Sequence, residues 1–403
     1  MRISTSQFFQ RSSQSMGSRQ TELLEAQQRL SSGEQRLRPS DAPGNAQASV
    51  RLAARLDRLD RLSSNQDAAE ATLSAEETAL AGLSTNLQRV KELAILLGNG
   101  ALTEDDALGI EAELRSLKEE ALSLANRPSP TGEALFGGTS DEARAFSLGA
   151  DGSVTYEGTA FSRTLPIGEG RSIALGRSGQ ELFQEIAPLR PVALEVGGAN
   201  TGDAVFAAPE LTNAGTLEAA NTPLTISFNG DGTVDVTDTP VAPAAPTTTT
   251  LPITDQTFTI EGVTVSFTGT PAAGDTVTLD PAESGSLFAV YDAVLAASQA
   301  PRSTASEQAA FQNQLQGAQE GLAAAEAQLG RARSSVGARL AAVDGERDLV
   351  AETRLAVESQ RSLIDDLDYT EAITAFQQQL TALQAAQSAF SRLSDLSLFN
   401  FLR

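Results

Sequence analysis

The sequence predicts a mainly α protein with a β insert: a long, discontinuous N/C-terminal helical coiled-coil bundle plus an inserted β-rich domain. Three observations carry this expectation. Proline is absent between Pro43 and Pro128 and again after Pro301. Apolar residues recur every seven positions through both flanks. The stretch between the flanks is rich in Gly, Thr, Pro, Val and Asp and reads in short alternating runs.

The flanks come first. Proline costs about 3 kcal/mol inside a helix, so long proline-free stretches permit long helices. Leu73, Leu80, Leu87 and Ala94 are spaced by seven, with Leu83, Val90 and Leu97 as a companion row. Ile110, Leu114, Leu117, Ala121 and Leu124 step 4-3-4-3. In the C-terminal flank Leu315, Leu322, Leu329, Val336, Val343, Val350, Val357 and Ile364 hold one heptad position. That row implies a helix of roughly 75 Å at about 1.5 Å per residue. A sustained heptad implies left-handed supercoiling against partner helices. Its second row, Phe311, Ala318, Ala325 and Ala332, is mostly small, which predicts close approach of helices. A last stripe holds Ile373, Phe376, Leu380, Leu383, Phe390 and Leu393. From pattern alone two readings stay open: an ordinary buried bundle core, or an extended coiled coil that also meets other subunits.

Punctuation divides the helices. Leu30-Ser31-Ser32-Gly33 is a helix stop, since Gly favours the left-handed C-terminal position. Ser40-Asp41-Ala42-Pro43-Gly44 is a turn and restart. Asp365, Asp366 and Asp368 mark a second break, with acidic groups at the positive end of the next helix dipole. In the middle, Ser153–Tyr156 after Gly149–Gly152, Leu224–Phe228 before Asn229–Gly232, and Phe258–Phe267 around Gly262 predict β-hairpins. Residues 240–252 read as a surface loop or linker.

Composition removes most chemistry. There is no Cys, no His and no Trp, and all but Lys91 and Lys118 of the 29 cationic residues are Arg. Disulfides, thiolate nucleophiles, zinc-thiolate sites and imidazole bases are therefore excluded. The net charge of −23 opposes nucleic acid and anionic membrane surfaces. No run reaches the ~20 apolar residues of a membrane span, and the opening Met1–Gln10 lacks a signal-peptide apolar region. Ser227–Asp238 imitates a calcium loop, but its first and twelfth positions are Ser227 and Asp238 instead of Asp and Glu, so a plain hairpin turn is expected. No cofactor, metal site or catalytic residue is expected.

The family resemblance rests on particular residues. Leu30-Ser31-Ser32-Gly33, Pro39-Ser40-Asp41-Ala42-Pro43-Gly44-Asn45-Ala46 and Asn86–Ala94 resemble the N-terminal signature of the bacterial flagellin superfamily. Met1–Thr5, Arg38–Asp41, Leu135-Phe136-Gly137-Gly138, Gly274–Thr278 before Leu287-Phe288, Asp366–Tyr369, Gln379–Ala385 and Leu396–Leu402 are most similar to its members at the hook-filament junction. The sequence departs from that pattern at Asp41-Ala42, where the family often has two Asp, and at Arg403, an ending also found in filament flagellins.

The resemblance implies a structural, non-enzymatic subunit, exported without a cleaved signal peptide and located extracellularly, at the junction between hook and filament. It implies a homo-oligomer touching another junction protein on the hook side and flagellin on the filament side, with an export chaperone beforehand. By position it implies an inner helical pair of residues 1–40 with 367–403. A helical bundle with a β-hairpin, residues 41–165 with 286–366, would follow, and 166–285 would form an outer β-rich domain. The residues expected in inter-subunit packing are Ile3, Phe8, Leu23, Leu30, Ile373, Phe376, Leu380, Leu383, Phe390, Leu393, Leu398 and Phe399. The family-like turn comprises Ser32, Gly33, Pro39, Ser40, Asp41 and Pro43. Two alternatives remain at this point: a filament flagellin, and a secreted coiled-coil adhesin with a ligand-binding β domain.

Overall fold

A computed structural model describes residues 5–35, 42–99, 102–212, 223–238 and 247–401. Its six α-helices among these residues are α1 (Thr5–Ser32), α2 (Pro43–Leu97), α3 (Glu104–Ala125), α4 (Leu287–Gln299), α5 (Ala305–Asp365) and α6 (Tyr369–Phe401). Between α3 and α4 the regular elements among the described residues are strands, apart from one π-helical turn at Gln180–Gln184. The mainly α fold with a β insert is therefore what the flanks and middle predicted. The chain divides into two compact units, Asp67–Asp344 and Met1–Gln66 with Gly345–Arg403.

The Asp67–Asp344 unit has a closed helical core. Both α2 rows bury as read: Leu73, Leu80, Leu83, Leu87, Val90, Ala94 and Leu97 are fully buried. Ile110, Leu114 and Ala121 of α3 meet them, as do Leu315, Leu322, Leu329 and Val336 of α5. The small second row of α5 is also buried, at Ala318, Ala325 and Ala332. One polar network crosses this core. The Tyr291 hydroxyl donates to Asn86 Oδ1 at 2.6 Å. Asn86 Nδ2 donates to the Leu117 carbonyl at 3.0 Å and Glu120 Oε2 at 2.9 Å. Burial raises the Tyr291 hydroxyl above its ordinary pKa, so it stays a donor at any physiological pH. Replacing Tyr291 by Phe leaves the Asn86 carbonyl buried without that donor. The expected loss is about 1–3 kcal/mol, read as a lower denaturant midpoint.

Beside the helices lie two small hairpins, β1 (Phe146–Leu148) with β2 (Val154–Tyr156) and β3 (Arg163–Gly168) with β4 (Arg171–Leu175). Phe146 stacks at 5.1–5.6 Å on Tyr156, Phe183 and Phe288, which joins the first hairpin to α4.

The remaining strands form two sheets over one shared apolar core. One sheet has the antiparallel order β10 (Thr248–Pro252), β9 (Thr233–Asp238), β8 (Leu224–Phe228), β13 (Thr276–Pro281), β5 (Val192–Val196). In the other, β12 (Val263–Thr268) pairs with β11 (Thr257–Ile260), β6 (Val205–Phe206) and β7 (Glu210–Leu211). Along β8, Leu224, Ile226 and Phe228 are buried and the residues between are not, as a sheet with one covered face requires. Their core neighbours include Phe206, Phe258, Val265, Phe267 and Val277. Asn313 of α5 holds the β6 backbone, accepting from Phe206 N at 2.9 Å and donating to the Ala204 carbonyl at 3.1 Å.

The structure corrects one expectation here. Residues 240–252 were read as a loop, but Thr248–Pro252 is the edge strand β10, paired with β9. Three consecutive threonines favour a pleated edge, and Pro252 is tolerated at a strand end on the sheet edge. Residues 239–246 lie outside the described residues. The calcium-like stretch is the β8–β9 hairpin. Asp231 accepts from Thr233 Oγ1 at 2.6 Å and Thr233 N at 3.0 Å, and those bonds hold its carboxyl below the usual range. Asp235 accepts from Thr250 Oγ1. Its acidic groups thus serve the hairpin.

Candidate assembly surface of the terminal helices

The unit formed by Met1–Gln66 with Gly345–Arg403 is built differently. Here α2 and α5 share a short seam of Leu56, Leu59, Leu62, Val350 and Val357. An ion pair of Arg354 Nη1 with Asp60 Oδ1 at 2.7 Å and a hydrogen bond from Ser49 Oγ to Asp365 Oδ2 at 2.6 Å join the same helices.

Both helical breaks predicted from the sequence are present, and they lie side by side. α1 stops at Ser32 because Gly33 turns to φ +73°, and its N–H bonds the Arg29 carbonyl at 2.9 Å. α5 stops at Asp365, and Asp368 Oδ1 accepts from Thr370 N and Glu371 N to start α6. Glu34 then pairs with Asp366 as an antiparallel bridge. Gln35 N donates to the Asp365 carbonyl and Leu367 N to the Gly33 carbonyl, both at 2.9 Å. No sequence motif announced this stitch between two breaks far apart in the chain. A Cβ at Gly33 would sit 2.9 Å from the Tyr369 hydroxyl, in a backbone region that L-residues avoid. Gly33→Ala is expected to cost about 1–2 kcal/mol, seen as faster amide exchange at Leu367 and Gln35.

Beyond the stitch α1 packs along α6. Among the described residues of α1 and α6, no side chain is fully buried. Leu23, Leu30, Phe376, Leu380, Leu383 and Phe390 are half-buried, and Ile373 is 46% exposed. Phe8, Leu393, Leu398 and Phe399 lie on these helices, and their side chains fall outside the described residues. Ile3, Pro39, Ser40 and Asp41 also lie outside them. Ser32 and Gly33 belong to the stitch, and Pro43 is the exposed first residue of α2. Two amphipathic helices of 28 and 33 residues thus meet along one stripe with no fully buried side chain among their described residues. Leu24 at 58%, with Leu355 and Leu363 of α5, adds bare apolar surface. Scattered exposed leucines need no explanation, but two long stripes with no closed core do.

Among the described residues no group of three or more acidic side chains is placed to hold a metal, and no helix is long and apolar enough to cross a membrane.

Comparison with known proteins places this architecture. The bacterial flagellin N-terminal helical region matches residues 3–141, and the flagellin C-terminal helical region matches residues 319–402. Flagellar hook-associated protein 3 of Salmonella typhimurium is 27% identical over 186 residues, which is 46% of this chain. The matched part spans 58% of that relative's length. The crystal structure of Xanthomonas campestris FlgL superposes with a TM-score of 0.70 at 26% identity, over 77% of this chain and 99% of that one. The flagellar junction protein FlgL from Legionella pneumophila, at 21% identity, shares the fold with a TM-score of 0.67 over 79% of this chain and 99% of that one. With flagellin helical regions at both ends covering more than half its length, and a fold shared with junction proteins, this chain is similar to hook-associated protein 3 and belongs to the bacterial flagellin superfamily.

Proposed function

We propose that this chain is a structural subunit of the bacterial flagellum that joins hook to filament, assembling by packing its terminal helices against those of neighbouring copies. The observation that carries this reading is that α1 and α6 pair with no fully buried side chain among their described residues, whereas the unit Asp67–Asp344 has a closed core. Ordering a residue costs roughly 1–2 kcal/mol, and half-buried stripes offset little of it within one chain. Lattice contacts supply the missing burial, so folding of the ends is coupled to polymerisation.

In this reading residues 1–40 with 367–403 form the inner pair, 41–165 with 286–366 the next layer, and 166–285 the outer module. Partners are further copies of the chain, another junction protein on the hook side, flagellin on the filament side and an export chaperone. The chain travels to the cell exterior without a cleaved signal peptide. Localisation of a tagged copy tests the reading. The expected result is a single focus at the hook tip, with hooks that shed flagellin when the gene is deleted. Labelling along the whole filament would instead assign it as filament flagellin.

A further inference from the structure

We propose that α2 of one copy docks on α5 of the next through a charge-matched lateral face in the unit Met1–Gln66 with Gly345–Arg403. This inference rests on the assembly reading and names the surface by which neighbouring copies recognise one another.

The two helices are held by their seam and by the Arg354–Asp60 and Ser49–Asp365 contacts, which leave their far sides uncovered. At about 100° per residue, the side of α2 away from Leu56 and Leu59 carries Val50, Ala54, Asp57 and Arg61, with Arg51 and Arg58 on its flank. All six are exposed. The side of α5 away from Val350 and Val357 carries Asp348, Glu352, Leu355, Ser359 and Leu363, again all exposed. With its flank, the α2 face is basic on balance, three Arg against Asp57, and the α5 face is acidic. Each also shows bare apolar surface: Val50 and Leu355 are 69% exposed and Leu363 is 81% exposed.

Charge decides how copies can pair. Basic face on basic face repels, and so does acidic on acidic, so a two-fold contact through either face is disfavoured. Basic on acidic attracts, and because the two faces belong to different helices the contact is head-to-tail and can repeat around a ring or helix. Register follows from the intrachain contacts. Ser49 meets Asp365 and Asp60 meets Arg354, so α2 and α5 run antiparallel. A neighbour docked at the same height repeats that register, bringing Arg61 level with Glu352 and Val50 with Leu363. Charge thus faces charge and apolar surface faces apolar surface along one contact.

The chain has no cysteine, so engineered thiols report without background. Full-length Arg61→Cys and Glu352→Cys chains are co-expressed in a flagellated host lacking its own copy, and flagella are purified under mild oxidation. A disulfide dimer forming only when both variants are present supports the contact. Equal dimer yield from either variant alone overturns it, and so does the absence of dimer from flagella that contain both chains. A second arm uses charge. Arg51, Arg58 and Arg61 all changed to Glu should lower incorporation at least about tenfold with the melting of the isolated chain unchanged. Adding Asp348→Arg and Glu352→Arg to the same chain should restore incorporation, and failure to restore it rejects the pairing. If the unmodified chain is absent from flagella, the assembly reading itself fails, which separates the two results.

Discussion

Removing residues 367–403 will abolish incorporation into the flagellum and leave the main unfolding transition of the chain where it was. The deletion takes away all of α6 and with it the partner of α1, but neither helix has a fully buried described side chain. The closed core lies within Asp67–Asp344 and loses nothing. A point change refines the test. Leu380 is half-buried on the α6 stripe. Leu380→Asp should cost the isolated chain no more than about 1–2 kcal/mol while lowering incorporation by more than about tenfold, since each lattice contact repeats the loss. Calorimetry of the purified chain and its recovery in isolated flagella give the two numbers. A large fall in melting temperature with normal incorporation would refute the assignment of these helices to assembly.

Glu76→Gln will separate from the parent chain in a pH-dependent way. Glu76 is fully buried, and neither carboxylate oxygen has a hydrogen-bond partner. Arg339 Nη1 is 3.8 Å away, too far to donate; it donates to the Ala174 carbonyl, and Nη2 donates to Ser335 Oγ. Burial outweighs the attraction of Arg339 and Arg177 and pushes the carboxyl up from 4.5 to about 7. The sign follows from linkage. The folded state holds this proton more tightly than the unfolded state. The stability from the neutral acid is complete below about pH 4.5 and is lost as pH rises through about 7. Gln stays neutral throughout. The stability difference between variant and parent should therefore grow in favour of Gln by about 3 kcal/mol between pH 4.5 and 8. Urea unfolding at a series of pH values measures it. A difference that stays flat would mean the carboxylate finds a partner or water at that site.

Glu76 also illustrates how far the sequence could be read. It occupies the position seven residues before Leu83 in the row Leu83, Val90, Leu97, so the row itself places it in the seam. A polar residue at such a position is a known means of fixing register, yet a list of apolar repeats passes over it. The helical flanks were legible because heptad spacing is a local property: Leu315 through Val357 predicted one helix, and α5 runs Ala305–Asp365 with that row buried from Leu315 to Val343 and again at Val350 and Val357. The hairpins around Gly152, Gly230 and Gly262 were legible through turn chemistry, and all three glycines have positive φ. The order β10-β9-β8-β13-β5 was not, because β13 pairs with β5 across some eighty intervening residues and no local signal encodes that choice. β10 was not legible either, because the four prolines and four threonines of residues 240–252 read equally as a linker and as an edge strand. Of the proposed assembly surface, the stripe on α6 was readable and the α1 residues came only through the family resemblance, whereas the charged far sides of α2 and α5 required knowing which sides the seam consumes.

The stitch between Glu34 and Asp366 carries a consequence for biogenesis. Its two strands of backbone are far apart in the order of synthesis: Gly33 and Glu34 are made some three hundred and thirty residues before Asp366 and Leu367. α1 therefore has no mate until the ribosome has passed every other described element. A chain cut short anywhere before α6 presents an orphan helix and an open break at Gly33.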